Sequence, residues 1–253
     1  LEMPHTLLLM DDRTDSVLSL AEKAKDALEK VYDFDLMLGG GHIAGWRVSG
    51  GTKAAVQSAL DSLDNAALQR KKYGDAAQNG KLTFAVGDGN HSLAAAKRFW
   101  EEKREMLPEN ERQTDPARFA LVEIENIHEP SLDFEPIHRV IFDTDTSAFA
   151  AGLAAHRAEW EAKDKTLGER VAAAESFCRA YTAAHGGYID YIHGDDTARA
   201  LGEKPNCAAV LLPPVEKSGL FLSVLKNGAL PKKSFSMGNA RDKRYYLECR
   251  KIR

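Results

Sequence analysis

The sequence predicts an α+β fold built on a mixed α/β sheet, and three observations predict it. Short apolar runs of strand length recur along the chain, at 7–10, 81–86, 137–142 and 207–212. Longer segments with apolar residues at helical spacing stand between them, of which 147–163 and 169–185 are rich in alanine. The order mixes strand–helix units with strands that follow one another, the pattern of an α+β or mixed α/β chain.

Residues 7–10 read as a buried strand. Asp15 and Ser16 then offer an N-cap for an amphipathic helix with Val17, Ala21, Ala24, Leu28 and Val31 on its apolar face. Gly39, Gly40 and Gly41, followed by His42, interrupt the order before a short strand at 46–48, and Thr52 caps a second helix carrying Val56, Leu60, Leu63 and Ala67. The strand 81–86 runs straight into Gly87-Asp88-Gly89-Asn90-His91-Ser92, after which 93–105 has helical composition. A polar stretch at 108–116 reads as an exposed loop, and 119–124 and 137–142 as strands. After the two alanine-rich helices come strands at 188–192 and 207–212 and a helix at 216–225 closed by Asn227-Gly228. A loop at 230–238 and a final strand at 245–252 complete the chain. No repeat or low-complexity linker divides it, so 1–253 reads as a single unit, with a motif-bearing half at 1–143 and a helical half at 144–253 as its subdivision. The opening Leu1-Glu2-Met3-Pro4 carries no initiator Met, and an absent N-terminal segment is expected.

Charge and composition narrow the function. Lys and Arg number 34 against 38 Asp and Glu, a net charge of −4, with the two signs interleaved, which disfavours a polyanion held on a basic face. With 43% hydrophobic and 28% charged residues the chain is an ordinary globular one, and no apolar run approaches the roughly 18 residues of a membrane span. Cys178, Cys207 and Cys249 are odd in number and form no CxxC pair. They suit a reducing cytoplasm and read as small buried hydrophobes.

The most informative stretch is Gly87 to Ser92. Two glycines allow a sharp turn and close approach of a ligand, and the free N–H groups of the helix that follows form an anion site favoured by its dipole. Asp88 suits a general base toward a hydroxyl or a ligand for a divalent cation, His91 suits a donor to a phosphoryl group, and Asn90 or Ser92 suits a helix cap. The competing reading is a glycine turn in which Asp88 and Asn90 only satisfy backbone groups. Gly40, Gly41 and His42 form a second phosphate-binding candidate, against the alternative of a flexible surface loop. His138 and Arg139 are adjacent at the start of a strand, so they point to opposite faces, one toward a site and the other toward solvent. Lys232, Lys233 and Ser234 supply positive charge and a hydroxyl in a turn, either for phosphate or as a solvated basic loop, with Ser236, Asn239 and Arg241 nearby. Paired metal-ligand spacings and a GxSxG elbow are both absent, so no metal site is expected.

The string FAVGDGNHSLAAAKRFWE, with GGGHIAGW before it and EPIHRVIF and LPKKSFSMGNARDKRYYLECRKI after it, resembles the domain-of-unknown-function family DUF1015. The resemblance covers essentially the whole chain. Its Asp88-Gly89-Asn90-His91 core is also similar to the Asp-Gly-His-His-Arg signature of free-serine kinases with a ParB/sulfiredoxin-like mixed sheet and flanking helices. Asn90 stands where that signature has its first His and Ser92 where it has Arg, and no position matches those kinases' catalytic Glu. The resemblance implies a cytoplasmic phosphotransferase that uses ATP or ADP with Mg²⁺ to phosphorylate a small hydroxylated metabolite, L-serine above others. Asp88 and His91 would be catalytic, Gly87, Gly89, Asn90 and Ser92 would cradle phosphate, and Lys232 and Lys233 would neutralise charge. The alternative is a ParB-like nucleotide-binding regulatory module without turnover, and a further one a serine or phosphoserine sensor.

Overall fold

The computed structural model describes residues 1–3, 6–238 and 247–252. The strands are β1 (Thr6–Met10), β2 (Glu29–Asp35), β3 (His42–Arg47), β4 (Phe84–Asp88), β5 (Val122–Asn126), β6 (Phe134–Phe142), β7 (Tyr188–His193), β8 (Ala208–Val210) and β9 (Phe235–Met237). The helices are α1 (Leu18–Ala24), α2 (Gly50–Leu63), α3 (Ala66–Tyr73), α4 (Asn90–Met106), α5 (Phe149–His156), α6 (Ala158–Glu161), α7 (Leu167–His185), α8 (Asp195–Gly202) and α9 (Leu220–Asn227). The fold is α+β. The chain forms two compact units: one from Leu1–Gln69, Lys81–Glu129 and Ala240–Arg253, the other from Arg70–Gly80 and Pro130–Asn239. Among the described residues no helix is long and apolar enough to cross a membrane.

In the first unit β1 lies between β4, antiparallel to it, and β5, parallel to it. Leu9 and Met10 are fully buried, and Met10 packs with Val17 and Leu63 under Val56, Leu60, Phe84 and Ile124. Helix α1 begins three residues after the expected cap. Val17 occupies the cap position without a side-chain cap, and the buried Asp12 holds the approach to the helix, its carboxylate accepting the Val17 N–H at 2.9 Å and the Ser16 hydroxyl at 3.0 Å. The helix also stops at Ala24, and Val31 belongs to β2, which pairs antiparallel with β3. Leu28 and Val31 keep a helical spacing, but a short helix is marginal by itself and the long-range ladder prevails. Because β2 is mostly exposed, with Val31 at 52% and Phe34 at 42%, it shows no inside–outside alternation to betray a strand. Strand β3 starts at His42 instead of Trp46, and α2 starts with Ser49 at its cap position, which puts Thr52 inside the helix.

The second unit is built on β6, which pairs antiparallel with β7, β8 and β9. Helices α6 and α7 bury Trp160, Val171, Ala174, Phe177 and Cys178 against Ile141 and Val210. Helix α7 starts at Leu167 under a capping box: the Thr166 N–H donates to Glu169 Oε2 at 2.7 Å and the Glu169 N–H to Thr166 Oγ1 at 3.3 Å. Helix α8, which packs on β6, β7 and β8 and buries Ala198, lies between two expected strands and is an addition to the expected order. Of the expected final strand, Tyr245 and Tyr246 lie outside the described residues, as do Asn239 and Arg241; residues 247–252 make one isolated bridge, Glu2 with Arg250.

The adjacent His138 and Arg139 of β6 point to opposite faces, as expected, but neither meets solvent: both are 0% exposed. His138 Nδ1 accepts the Leu212 N–H at 3.1 Å and Nε2 donates to Asp195 of α8 at 2.9 Å, a pattern that fixes the Nε2-protonated neutral tautomer. Arg139 Nε donates to Glu175 of α7 at 3.3 Å and Nη1 to the Ile137 carbonyl, while the guanidinium lies 5.3 Å from the Tyr191 ring centre. Tyr191 in turn donates its hydroxyl to Glu175 at 3.0 Å.

Two outcomes follow. His138→Ala leaves the buried Leu212 N–H without its acceptor and should cost roughly 2–4 kcal/mol in urea unfolding, whereas Asp195→Asn should cost less than about 1 kcal/mol. Burial pushes the Cys178 thiol up to about 12, so at pH 8 a thiol reagent should label the exposed Cys249 in the native protein and reach Cys178 only after denaturation.

Candidate functional site

Two departures from regular strand geometry bracket Asp88. In the β1–β4 ladder Leu7 pairs with Asp88 and Leu8 with Val86, so Gly87 is the extra residue of a β-bulge. A bulge bends the strand and re-aims the next side chain. Directly after it Gly89 takes φ +83, a left-handed conformation that costs a residue with Cβ about 1–2 kcal/mol. The chain can then turn from the end of β4 into the 17-residue α4 without a loop. Strand β4 therefore runs from Phe84 to Asp88, not 81–86: Lys81 pairs with Asp64, the Leu82 N–H donates to Gln69 Oε1 at 3.3 Å, and both are spent outside the ladder.

The turn so formed presents Asp88 and the start of α4 together. Asp88 is exposed and its Oδ1 accepts the Gly89 N–H at 2.7 Å. Neither Asn90 nor Ser92 caps α4, since Gly89 occupies the cap position and no side chain accepts from the first turn; that turn also holds no acidic residue. The N–H groups of Asn90, His91 and Ser92 have no acceptor within the helix, and together with the helix dipole they suit an anion. The exposed His91 ring makes no hydrogen bond among the described residues. An exposed carboxylate thus directly precedes an anion site whose second residue is His91.

The other expected site residues fall elsewhere. Gly40 and Gly41 form the tip of the β2–β3 hairpin, with Gly39 and Gly41 at φ +71 and +87. His42 opens β3, and both its ring nitrogens are taken, Nδ1 by Asp35 at 2.7 Å and Nε2 by Asp33 at 2.8 Å. Two carboxylates at that ring oppose an anion, and the three glycines serve the hairpin connection. Lys232 and Lys233 are exposed in a turn of the second unit, Lys233 at φ +60. Ser234 is buried, its hydroxyl donating to the Pro231 carbonyl at 2.6 Å. Ser236 lies in the unexpected strand β9 and its hydroxyl meets His193 Nδ1 at 3.1 Å. His138 and Arg139 serve the core of the second unit.

The family model described as "Protein of unknown function (DUF1015)" matches residues 1–251. The chain belongs to the DUF1015 family. No curated protein and no solved structure matches it.

Two features of this DUF1015 chain had no sequence signal. At the far end of the β1–β5 pair from Asp88, the buried Asp11 accepts from Nε2 of His128, a ring 26% exposed, at 2.6 Å. Asn126 locks this end by donating to the Asp12 carbonyl at 2.8 Å. In the second unit a cleft of about 210 Å³ opens beside the start of α7, and Ser234 lines it. Each contributing residue is ordinary in sequence. Among the described residues no group of three or more His, Cys, Asp or Glu side chains is placed to hold a metal ion.

The His42 clamp makes a pH prediction. Hydrogen bonds to Asp35 and then Asp33 raise the His42 pKa above its usual 6.5. A raised folded-state value means that the clamp's stabilisation is fully present below the unfolded value near 6.5 and is lost as pH climbs through the folded one. The imidazole proton resonances of His42 should titrate above 6.5, and Asp35→Asn should move that midpoint down.

Proposed function

We propose that this DUF1015 protein is a small-molecule kinase that transfers a phosphoryl group from ATP or ADP to the hydroxyl of free L-serine at the Asp88 turn. The observation that carries the reading is the bulge at Gly87 and the left-handed Gly89, which hold Asp88 against an uncapped helix N-terminus. The ParB/sulfiredoxin-like kinase motif that the turn resembles supports the choice of acceptor and donor.

In such a transfer the terminal phosphorus spreads its charge over its oxygens, and catalysis consists mostly of positioning and electrostatic stabilisation. The serine oxygen attacks phosphorus, the bridging P–O bond breaks, and the shortened nucleotide leaves with the electron pair. Asp88 orients the serine hydroxyl and takes its proton. The N–H groups of Asn90, His91 and Ser92 hold phosphate oxygens, and the His91 ring donates to the moving group. A Mg²⁺ ion fits this donor set, because that ion is commonly held by substrate phosphates and one or two carboxylates, and Asp88 is the carboxylate of the turn. When bound, it neutralises phosphate charge.

Incubation with ATP or ADP, Mg²⁺ and L-serine should yield O-phosphoserine by phosphorus NMR. Asp88→Asn should lower that rate by about 10²- to 10⁴-fold. Nucleotide binding without phosphoserine from either donor would refute the kinase and favour the regulatory module.

A further inference from the structure

We propose that the cleft of the second unit binds a small organic anion with an apolar body, a carboxylate or phosphate ester carried on a short hydrocarbon stem. The inference does not rest on the Asp88 turn. The cleft floor is apolar, formed by Leu167 and Val171 of α7, Leu222 of α9, and Leu212 after β8. Its rim is cationic: Lys163, Lys165, Arg170 and Lys226 line it against two carboxylates, Asp164 and Glu216. At about 210 Å³ it is smaller than the roughly 300–1,000 Å³ of sites for drug-sized ligands, which sets the scale of a small metabolite.

Three features make the cleft a preformed site. Arg170 Nε donates to the Lys165 carbonyl at 3.1 Å and Nη2 to the Lys163 carbonyl at 3.4 Å, so the guanidinium holds the loop that carries both lysines. Thr166 Oγ1 lies 2.8 Å from both Asn227 Oδ1 and Glu169 Oε2, sharing its one proton between them where the start of α7 meets the end of α9. The wall Leu212-Pro213-Pro214 is pinned by His138 through the Leu212 N–H, and its prolines have fixed φ. Ligand binding then requires little ordering, which is the usual source of affinity in a small site.

The charges give the occupant its sign. Lys163 and Lys165 make no ion pair among the described residues, although both line the concavity. Lys226 is partly committed, since it contributes to holding the Glu169 carboxyl below its usual range after the Thr166 hydrogen bonds have done most of that work. Unpaired like charges around a low-dielectric floor repel one another and focus a positive potential into it. An anion relieves that repulsion, and a hydrocarbon stem covers the leucines beneath. Lysine binds either carboxylate or phosphate as a point charge, so the head group is left to experiment.

Calorimetry on the full chain with hexanoate, hexyl phosphate and hexanol tests the proposal. At least one of the two anions should bind saturably, and hexanol, with the same stem, about ten-fold or more weakly, a difference of about 1.4 kcal/mol. The anion that binds tighter names the head group. The double variant Lys163→Glu/Lys165→Glu should weaken anion binding by at least about ten-fold, and Leu222→Trp, which fills the floor without touching a charge, should abolish it. Both variants are to be checked by circular dichroism, and Lys163→Gln/Lys165→Gln replaces the first if the reversal unfolds the chain. Failure of both anions to bind at about 10 mM, equal binding of hexanol, or insensitivity to the lysine substitutions would overturn the site, whatever the outcome at Asp88.

Discussion

A strand buried on both faces offers no water to its polar side chains, and β6 carries two of them in succession. His138 and Arg139 must find partners inside the protein, and the arrangement of the second unit follows from how they do so. Arg139 is answered by Glu175 of α7, by the Ile137 carbonyl and by the ring of Tyr191, its register partner on the neighbouring strand β7, which fixes α7 over the β6–β7 pair. His138 spans the opposite face, from the backbone of Leu212 to Asp195 at the start of α8. One imidazole therefore sets both the seat of a helix and the wall of the cleft. Removing His138 or Arg139 leaves buried groups without their partners, so its cost exceeds that of the single bond removed. Glu175 also meets Arg179 at 2.8 Å, so the buried charge is shared outward to a side chain that is 70% exposed.

The first unit shows the complementary device, in which irregular backbone does what buried polar groups do in the second. A flat ladder would carry Asp88 in register with its neighbours; the bulge at Gly87 breaks that register, and the left-handed Gly89 ends the strand. Strain and bulges of this kind gather where a side chain has to be aimed. The hairpin glycines at 39–41 have positive φ as well, but there the geometry reverses the chain between β2 and β3 and leaves His42 clasped by two aspartates. Identical residue chemistry thus serves a candidate site in one place and a connection in the other. What separates them is the neighbouring charge: an uncapped helix start free of acidic residues against a pair of carboxylates.

That distinction explains how far the sequence could be read. Leu7 to Met10 and the long α7 were legible because burial and local caps agree with their periodicity. Strand β2 was not, because its partner β3 lies across a turn and its exposed residues keep a helical spacing by accident. Helix α8 is amphipathic but only eight residues long and polar on average, and β9 has three residues; both are held by β6. The Asp88 turn was visible as a motif, since strand, glycines and helix are contiguous; the bulge that aims Asp88 was not, as it exists only relative to Leu7 and Leu8. The cleft was invisible for a stronger reason: its cations are spread from Lys163 to Lys226, and no window of sequence contains them together.

A net charge of −4 and two proposed anion sites are not in conflict. Screening in physiological salt confines surface potentials to about 8 Å, so the total charge governs association with a long polyanion while a small ligand responds to the nearest groups. At the Asp88 turn those groups are backbone N–H dipoles, which add nothing to the formal charge. In the cleft they are above all Lys163 and Lys165, which make no ion pair among the described residues and stand by an apolar floor, where the lower dielectric strengthens each contact. Acidic residues elsewhere offset the total, among them Glu101 and Glu102 of α4, which pair at four residues' spacing with Lys97 and Arg98. The mild acidity is therefore compatible with the recognition of small anions by local geometry.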